Sequence, residues 1–137
     1  MNGYKHIEES IGRYIGKYYK NVVEVGFGGN ITAASIIQNM GGSVLCIDIR
    51  SYPFIRTIPS VTDDIADPDL SLYMGSDCIY AIRPGIEMVP HLIAIAKTAG
   101  SDLIVYHLGC EVYRDGGAII DCGVILHRYV TSEREQG

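Results

Sequence analysis

Residues Val22-Val23-Glu24-Val25 run directly into Gly26-Phe27-Gly28-Gly29-Asn30, and the next apolar run, Val44-Leu45-Cys46-Ile47, closes on Asp48. A short unbroken apolar run suits a parallel strand covered on both faces. Glycine has no Cβ and tolerates positive φ, so the turn after that strand lets backbone approach a neighbouring group closely. A strand that breaks into a glycine turn and then enters a helix is one half of a βαβ unit. Units of this kind imply parallel strands joined by right-handed crossovers, with a ligand crevice at the carboxyl ends of the strands.

The rest of the chain follows the same alternation. Ile7, Ile11, Ile15 and Tyr18 make a helical stripe over 4–19, weakened by Gly12 and Gly16. A strand at 21–25 leads to a helix capped by Asn30 and stopped at Gly41-Gly42. A second strand spans 43–48, and residues 49–62 read as loop with a short third strand near 59–62. Asp67-Pro68 opens a short helix to about Met74. A fourth strand, Cys78–Ile82, precedes a helix over 87–99 whose Pro90 falls in the first turn, where backbone donors lack partners. A fifth strand spans 102–107, residues 117–130 are β-rich, and the last seven residues read as frayed. The expectation is one α/β domain over 1–137, a Rossmann-like doubly wound sheet, mostly parallel, of about six strands with helices on both faces.

The 137 residues carry 16 Asp and Glu against 11 Lys and Arg, a net charge of −5 that does not attract phosphate backbones. No apolar run reaches the length of a membrane span and no signal-peptide segment opens the chain, so a cytoplasmic location without membrane contact is expected. Cys46, Cys78, Cys110 and Cys122 form no CxxC pair and read as reduced core thiols.

The glycine turn and an acid at the next strand end together suggest an adenosine-containing cofactor, with Asp48 gripping ribose hydroxyls. A dinucleotide fingerprint needs a third glycine where this chain has Ile31, too bulky for close helix–strand packing. The pattern E/D-x-G-x-G-x-G of class I S-adenosylmethionine-dependent methyltransferases matches at Glu24, Gly26 and Gly28, with Asn30 in place of the last glycine. An acid inside an apolar strand is expensive to bury without a polar or cationic partner. A sulfonium ligand with an ammonium group supplies one, whereas a pyrophosphate is repelled; a structural ion pair is the ordinary alternative. Asp63 and Asp64 add acids at the same rim, where one could accept from an adenine amino group or simply cap a turn.

On Val22–Asn30, Cys46–Asp48, Val61–Ile65 and Ile79–Gly85, the chain resembles a small uncharacterised archaeal family related to class I methyltransferases. The resemblance implies an S-adenosylmethionine site from Glu24, Gly26, Gly28, Asn30, Asp48 and Asp64. It supplies no substrate. The fourth-strand exit is Arg83-Pro84-Gly85 rather than the N/D-P-P-Y of amino-methyltransferases, and the chain is short for that class.

Candidates for chemistry cluster at the fourth- and fifth-strand exits. Arg83 could orient an anionic substrate, Glu87 could pair with Arg83, and His107 could act as a base or be a satisfied core histidine. His107-x-x-Cys110-Glu111 lacks a second ligand cluster, so no metal is expected. Arg13, Lys17 and Lys20 with Tyr14, Tyr18 and Tyr19 permit RNA contact, which the acidic total disfavours. Three readings follow. The first is an S-adenosylmethionine-binding, methyltransferase-like protein acting on an unidentified small molecule or RNA. The others are a non-catalytic nucleotide-binding module and, with least support, an NAD-dependent oxidoreductase. A homodimer fits a small domain without a substrate region.

Overall fold

The computed structural model describes residues 3–109 and 111–132. Helix α1 spans Gly3–Tyr18, strand β1 Asn21–Val25, helix α2 Thr32–Asn39, strand β2 Ser43–Asp48 and strand β3 Ser60–Thr62. Strand β4 is Cys78–Ile82, helix α3 Val89–Ala99, and strands β5, β6 and β7 are Asp102–Tyr106, Ala118–Asp121 and Ile125–Val130. They form one seven-stranded sheet in the order β3-β2-β1-β4-β5-β7-β6. β1 to β5 are parallel, and β7 pairs antiparallel with both β5 and β6.

The sheet has seven strands rather than about six, because the β-rich tail is a hairpin whose second strand inserts beside β5. The helix expected from Asp67-Pro68 to Met74 is only a 3₁₀ turn at Leu70–Leu72, capped by Asp69. A single turn suffices there to bury Tyr73. The helix expected over 87–99 is a 3₁₀ turn at Ile86–Met88 followed by α3, with Pro90 in the first turn of α3. Asn30 does not hold the N-cap position. Its Oδ1 accepts the Thr32 N–H at 3.0 Å from one residue further out, and Ile31 occupies the cap.

Alternation along the central strands separates two cores. Val22, Cys46, Cys78, Tyr80 and Ile104 face α1 and α2. Val23, Ile47, Ile79, Ala81, Leu103 and Val105 face α3. Cys46 and Cys78 are buried and Cys122 is half-buried; Cys110 lies outside the described residues. Tyr19 Oη donates to Asp102 Oδ2 at 2.6 Å, and the Ser132 N–H donates to Asp102 Oδ1 at 2.7 Å. This buried carboxylate ties the end of α1 to β5 and to the segment after β7.

Gly12 and Gly16, which weaken α1 by propensity, are what let it lie against α2. A Cβ at Gly12 would sit 2.9 Å from the Ala33 carbonyl oxygen, and one at Gly16 would sit 2.8 Å from the Met40 sulfur. Backbone at Ala33 cannot yield as a flexible side chain can. Gly12→Ala is therefore expected to lower the unfolding free energy by about 1–3 kcal/mol despite its better helix propensity. Exposed Lys17→Ala on the same helix should change it by under about 0.5 kcal/mol. Urea titration of both variants checks the difference.

Candidate functional site

β1 ends in a turn that only glycine accommodates easily. Gly26, Gly28 and Gly29 have φ of 72°, 61° and 82°, the left-handed region that a Cβ disfavours. The Gly26 N–H donates to the Ile47 carbonyl at 2.7 Å, extending the β1–β2 ladder by one residue. The Gly28 N–H then donates to Asp48 Oδ2 at 2.9 Å, while Asp48 Oδ1 accepts the Arg50 N–H at 3.0 Å. Each oxygen keeps a lone pair, so the carboxylate is held rigidly and can still accept from a ligand.

Between this turn and the exit of β3 lies a cleft of about 320 Å³, lined by Gly26, Asp48, Ile49, Asp64, Ile65 and Met88, with Asp63 also on its wall. Val25 and Ile47 form its floor. Three carboxylates and no cation border it. The Asp64 Oδ1 accepts the Ala66 N–H at 2.9 Å, and Asp63 accepts the Asp69 N–H through both oxygens at 3.2 and 3.3 Å. Both acids thus cap turns while facing the cleft. Phe27 is buried on the α1–α2 side and Phe54 points to solvent, so neither fills it.

Glu24 does not line this cleft. It is 2% exposed and faces α1, where Tyr80 Oη donates to its Oε1 at 2.7 Å. Burial pushes its carboxyl up to about 8; the Tyr80 hydrogen bond opposes the shift and nearby Glu8 adds to it. Burial and Glu24 likewise raise the Tyr80 hydroxyl, which stays protonated. Beside this pair, Arg83 Nη1 bonds Glu8 Oε1 at 2.7 Å. The expected Arg83–Glu87 pair is thus replaced by a bridge to α1, because Glu87 turns back over Gly85 and is exposed. Arg83 has φ 54°, a strained exit from β4 of the sort found at ligand clamps.

A second cleft, about 340 Å³, opens at the end of β5 and is lined by Ile7, Tyr106, His107, Glu111, Val124 and His127, among others. β4 stands between β1 and β5 in the sheet; the first cleft is walled by residues of the α3-side core and the second by residues of the α1-side core. His107 is buried, and its Nε2 lies 2.6 Å from Tyr129 Oη, which also accepts the Tyr113 N–H at 3.0 Å. Which of the two donates follows the imidazole tautomer; the other ring nitrogen, Nδ1, is buried with no hydrogen-bond partner among the described residues. Burial, then His127, lowers the His107 pKa, with Glu111 opposing. His91 is exposed on α3, away from both clefts. No group of three or more His, Cys, Asp or Glu able to hold a metal occurs among the described residues. No described helix is long and apolar enough to cross a membrane.

The structure thus joins Gly26, Asp48 and Asp64 at one cleft, ties Gly28 to it only through Asp48, sets Glu24 on the α1 side, spends Asn30 on the α2 start, and puts His107 in a separate cleft. Sequence reasoning missed Glu8, Tyr80 and Tyr129. Glu8 was detectable: it stands three residues before Ile11 and seven before Ile15, on the buried stripe of α1, where an acid demands a cation.

A mostly parallel sheet with an antiparallel last insertion, and a glycine turn facing an acid, define a Rossmann-like α/β protein of methyltransferase fold. Solved structures agree on that fold. One is an S-adenosylmethionine-dependent methyltransferase from Archaeoglobus fulgidus, 14% identical, with a TM-score of 0.61 over 81% of this chain and 56% of that one. Another is the MycE methyltransferase solved with Mg and SAH, 12% identical, with a TM-score of 0.58 over 98% of this chain and 48% of that one. The chain thus spans about half the length of these enzymes. Residues 8–115 match the uncharacterised protein family UPF0146, to which this chain belongs. A UPF0146 protein of Pyrococcus abyssi is 36% identical over 95 residues, covering 66% of this chain and 71% of the relative. One from Pyrococcus horikoshii is 33% identical over 113 residues, covering 79% and 86%.

The raised Glu24 carboxyl makes stability depend on pH. Its ordinary value is 4.5 and its folded value about 8, so between them the folded state binds more protons than the unfolded one. Unfolding free energy therefore falls as pH rises through that window. Glu24→Gln keeps an acceptor for Tyr80 and removes the titration. It should match the wild type near pH 4 and exceed it at pH 9 by on the order of a few kcal/mol, read by urea unfolding at both pH values.

Proposed function

We propose that the cleft beside the glycine turn binds S-adenosylmethionine and that the protein transfers its methyl group to a small molecule. The observation that carries this reading is the charge of the cleft: Asp48, Asp63 and Asp64 border it and no cation does. A pyrophosphate-bearing dinucleotide meets repulsion there, whereas an adenosine ligand with a sulfonium and an ammonium group does not. The lining fits such a group. Around Gly28 nothing lies within 4 Å of where a Cβ would stand, which leaves open space for a ligand against the backbone. Met88, Ile49 and Ile65 give an apolar wall for adenine, and Asp48 keeps acceptor capacity for ribose hydroxyls.

When bound, S-adenosylmethionine supplies an electrophilic methyl group whose bonding pair stays on sulfur as the methyl leaves. The chain's own residues then have to hold an acceptor in line and exclude water. The second cleft is the place for that acceptor. His107 stays neutral through its lowered pKa. Its Nε2 is tied to Tyr129 Oη, which fixes the ring in the wall of that cleft. A second reading, binding without turnover, draws on the length of the chain relative to solved methyltransferases and on Arg83 being held by Glu8 rather than offered to a substrate.

Titration of the labelled protein with S-adenosylmethionine is expected to move the amide signals of Gly26, Gly28 and Asp48. Asp48→Ala should weaken binding by about tenfold or more, as loss of charge-assisted hydrogen bonds implies. Absence of shifts at millimolar ligand, or an equal response to NAD, overturns the reading.

A further inference from the structure

A third cleft, about 280 Å³, lies under residues 50–62 on the far side of Asp48, with Arg50, Ser51, Tyr52, Arg56, Ser60 and Thr62 on its walls. No acid lines it, in a chain with 16 of them and a net charge of −5. Both arginines are exposed, and neither has a carboxylate within ion-pair distance among the described residues. Their charge is thus neither neutralised nor buried.

The loop that carries them is anchored at several points. The Arg50 N–H is held by Asp48. The Tyr52 ring packs edge-on against Phe27 with centroids 4.9 Å apart, and presses on Gly29, where a Cβ would come within 3.0 Å of it. The Ile55 N–H donates to the Tyr52 carbonyl at 3.1 Å, and Gln38 Nε2 donates to the Thr57 carbonyl at 3.3 Å. Ile58 is fully buried, and the Pro59 carbonyl accepts the Cys46 N–H at 2.9 Å. Backbone fixed in this way loses little entropy when a ligand engages its side chains.

We propose that this cleft is a binding site for a phosphate group, taken between Arg50 and Arg56. Guanidinium forks match the oxygens of a phosphate in pairs. Three hydroxyls, Ser51, Ser60 and Thr62, add donors around the same space, more than a flat carboxylate could engage. Asp48 and Arg50 are two residues apart with opposite charge, which keeps a phosphate out of the first cleft and draws it to this one. The site is independent of the methyltransferase reading, since S-adenosylmethionine carries no phosphate. The phosphate belongs either to a small ester or to the backbone of a single-stranded nucleic acid. Phe54, 94% exposed on the same loop, offers a stacking face that only the second source would use.

Calorimetric titration of the full chain at low ionic strength, with pyrophosphate and separately with a short oligouridylate, tests this. At least one ligand should bind saturably, and Arg50→Ala combined with Arg56→Ala should weaken it by about tenfold or more. Arg13→Ala, which removes an exposed charge from α1, should change it by less than about twofold. All these side chains are exposed, so the variants should fold, and unchanged circular dichroism checks that they do. Phe54→Ala weakening oligouridylate alone assigns the nucleic-acid source; no effect assigns the small ester. Failure of both ligands to bind, or equal losses from Arg13→Ala and the double variant, overturns the site. The response of Gly26 and Gly28 to S-adenosylmethionine should survive in the double variant, so the two proposals fail separately.

Discussion

The Asp48 carboxylate joins three parts of the molecule that chain connectivity leaves apart. One oxygen takes the N–H of Gly28 in the turn after β1, the other takes the N–H of Arg50 at the start of the following loop, and the side chain itself closes β2. Bonds from backbone donors to a charged acceptor are among the stronger ones available at a surface. Without them, the glycine turn would have its left-handed residues and little to fix where they point. With them, the first cleft has a rigid rim and the arginine-bearing loop leaves the sheet in a defined direction. The acidic and the basic cleft are thus two sides of one carboxylate's coordination.

Behind that rim lies a layer of buried polar groups that an apolar core would not need. Glu24, Tyr80, Glu8 and Arg83 occupy the space between the sheet and α1, bonded as Tyr80 to Glu24 and Arg83 to Glu8. A buried ionic network adds little net stability compared with well-packed apolar side chains. Its cost here is visible in the Glu24 carboxyl, which burial drives to about 8. The layer also holds Arg83, with its φ of 54°, at the exit of β4.

How far the sequence reached depended on whether a feature was local. The βαβ alternation, the glycine turn and Asp48 depend on residues near one another in the chain, and each stands where periodicity and turn chemistry put it. The seventh strand was missed because pairing β7 between β5 and β6 is a non-local choice that alternation in 117–130 does not specify. The helix expected at 68–74 shrank because burying Tyr73 needs one turn, whatever the Asp67-Pro68 signal offers. The partner of Arg83 was misassigned for the same reason. Glu87 is four residues away and obvious, whereas Glu8 is 75 residues away and is brought there only by α1 crossing the sheet edge. Gly12 and Gly16 were read as weaknesses of a helix when their role is contact between two helices.

Any chemistry at the sheet edge depends on what covers the strand exits. A group transfer at the strand exits requires that water be excluded from the line between donor and acceptor. Here the cover over the β4 and β5 exits comes from α1, through Ile7 against the second cleft and Glu8 on Arg83. The first helix therefore carries a duty beyond packing. Its Glu8–Arg83 bridge pins it to the exit of β4, and its glycines set how closely it lies on α2.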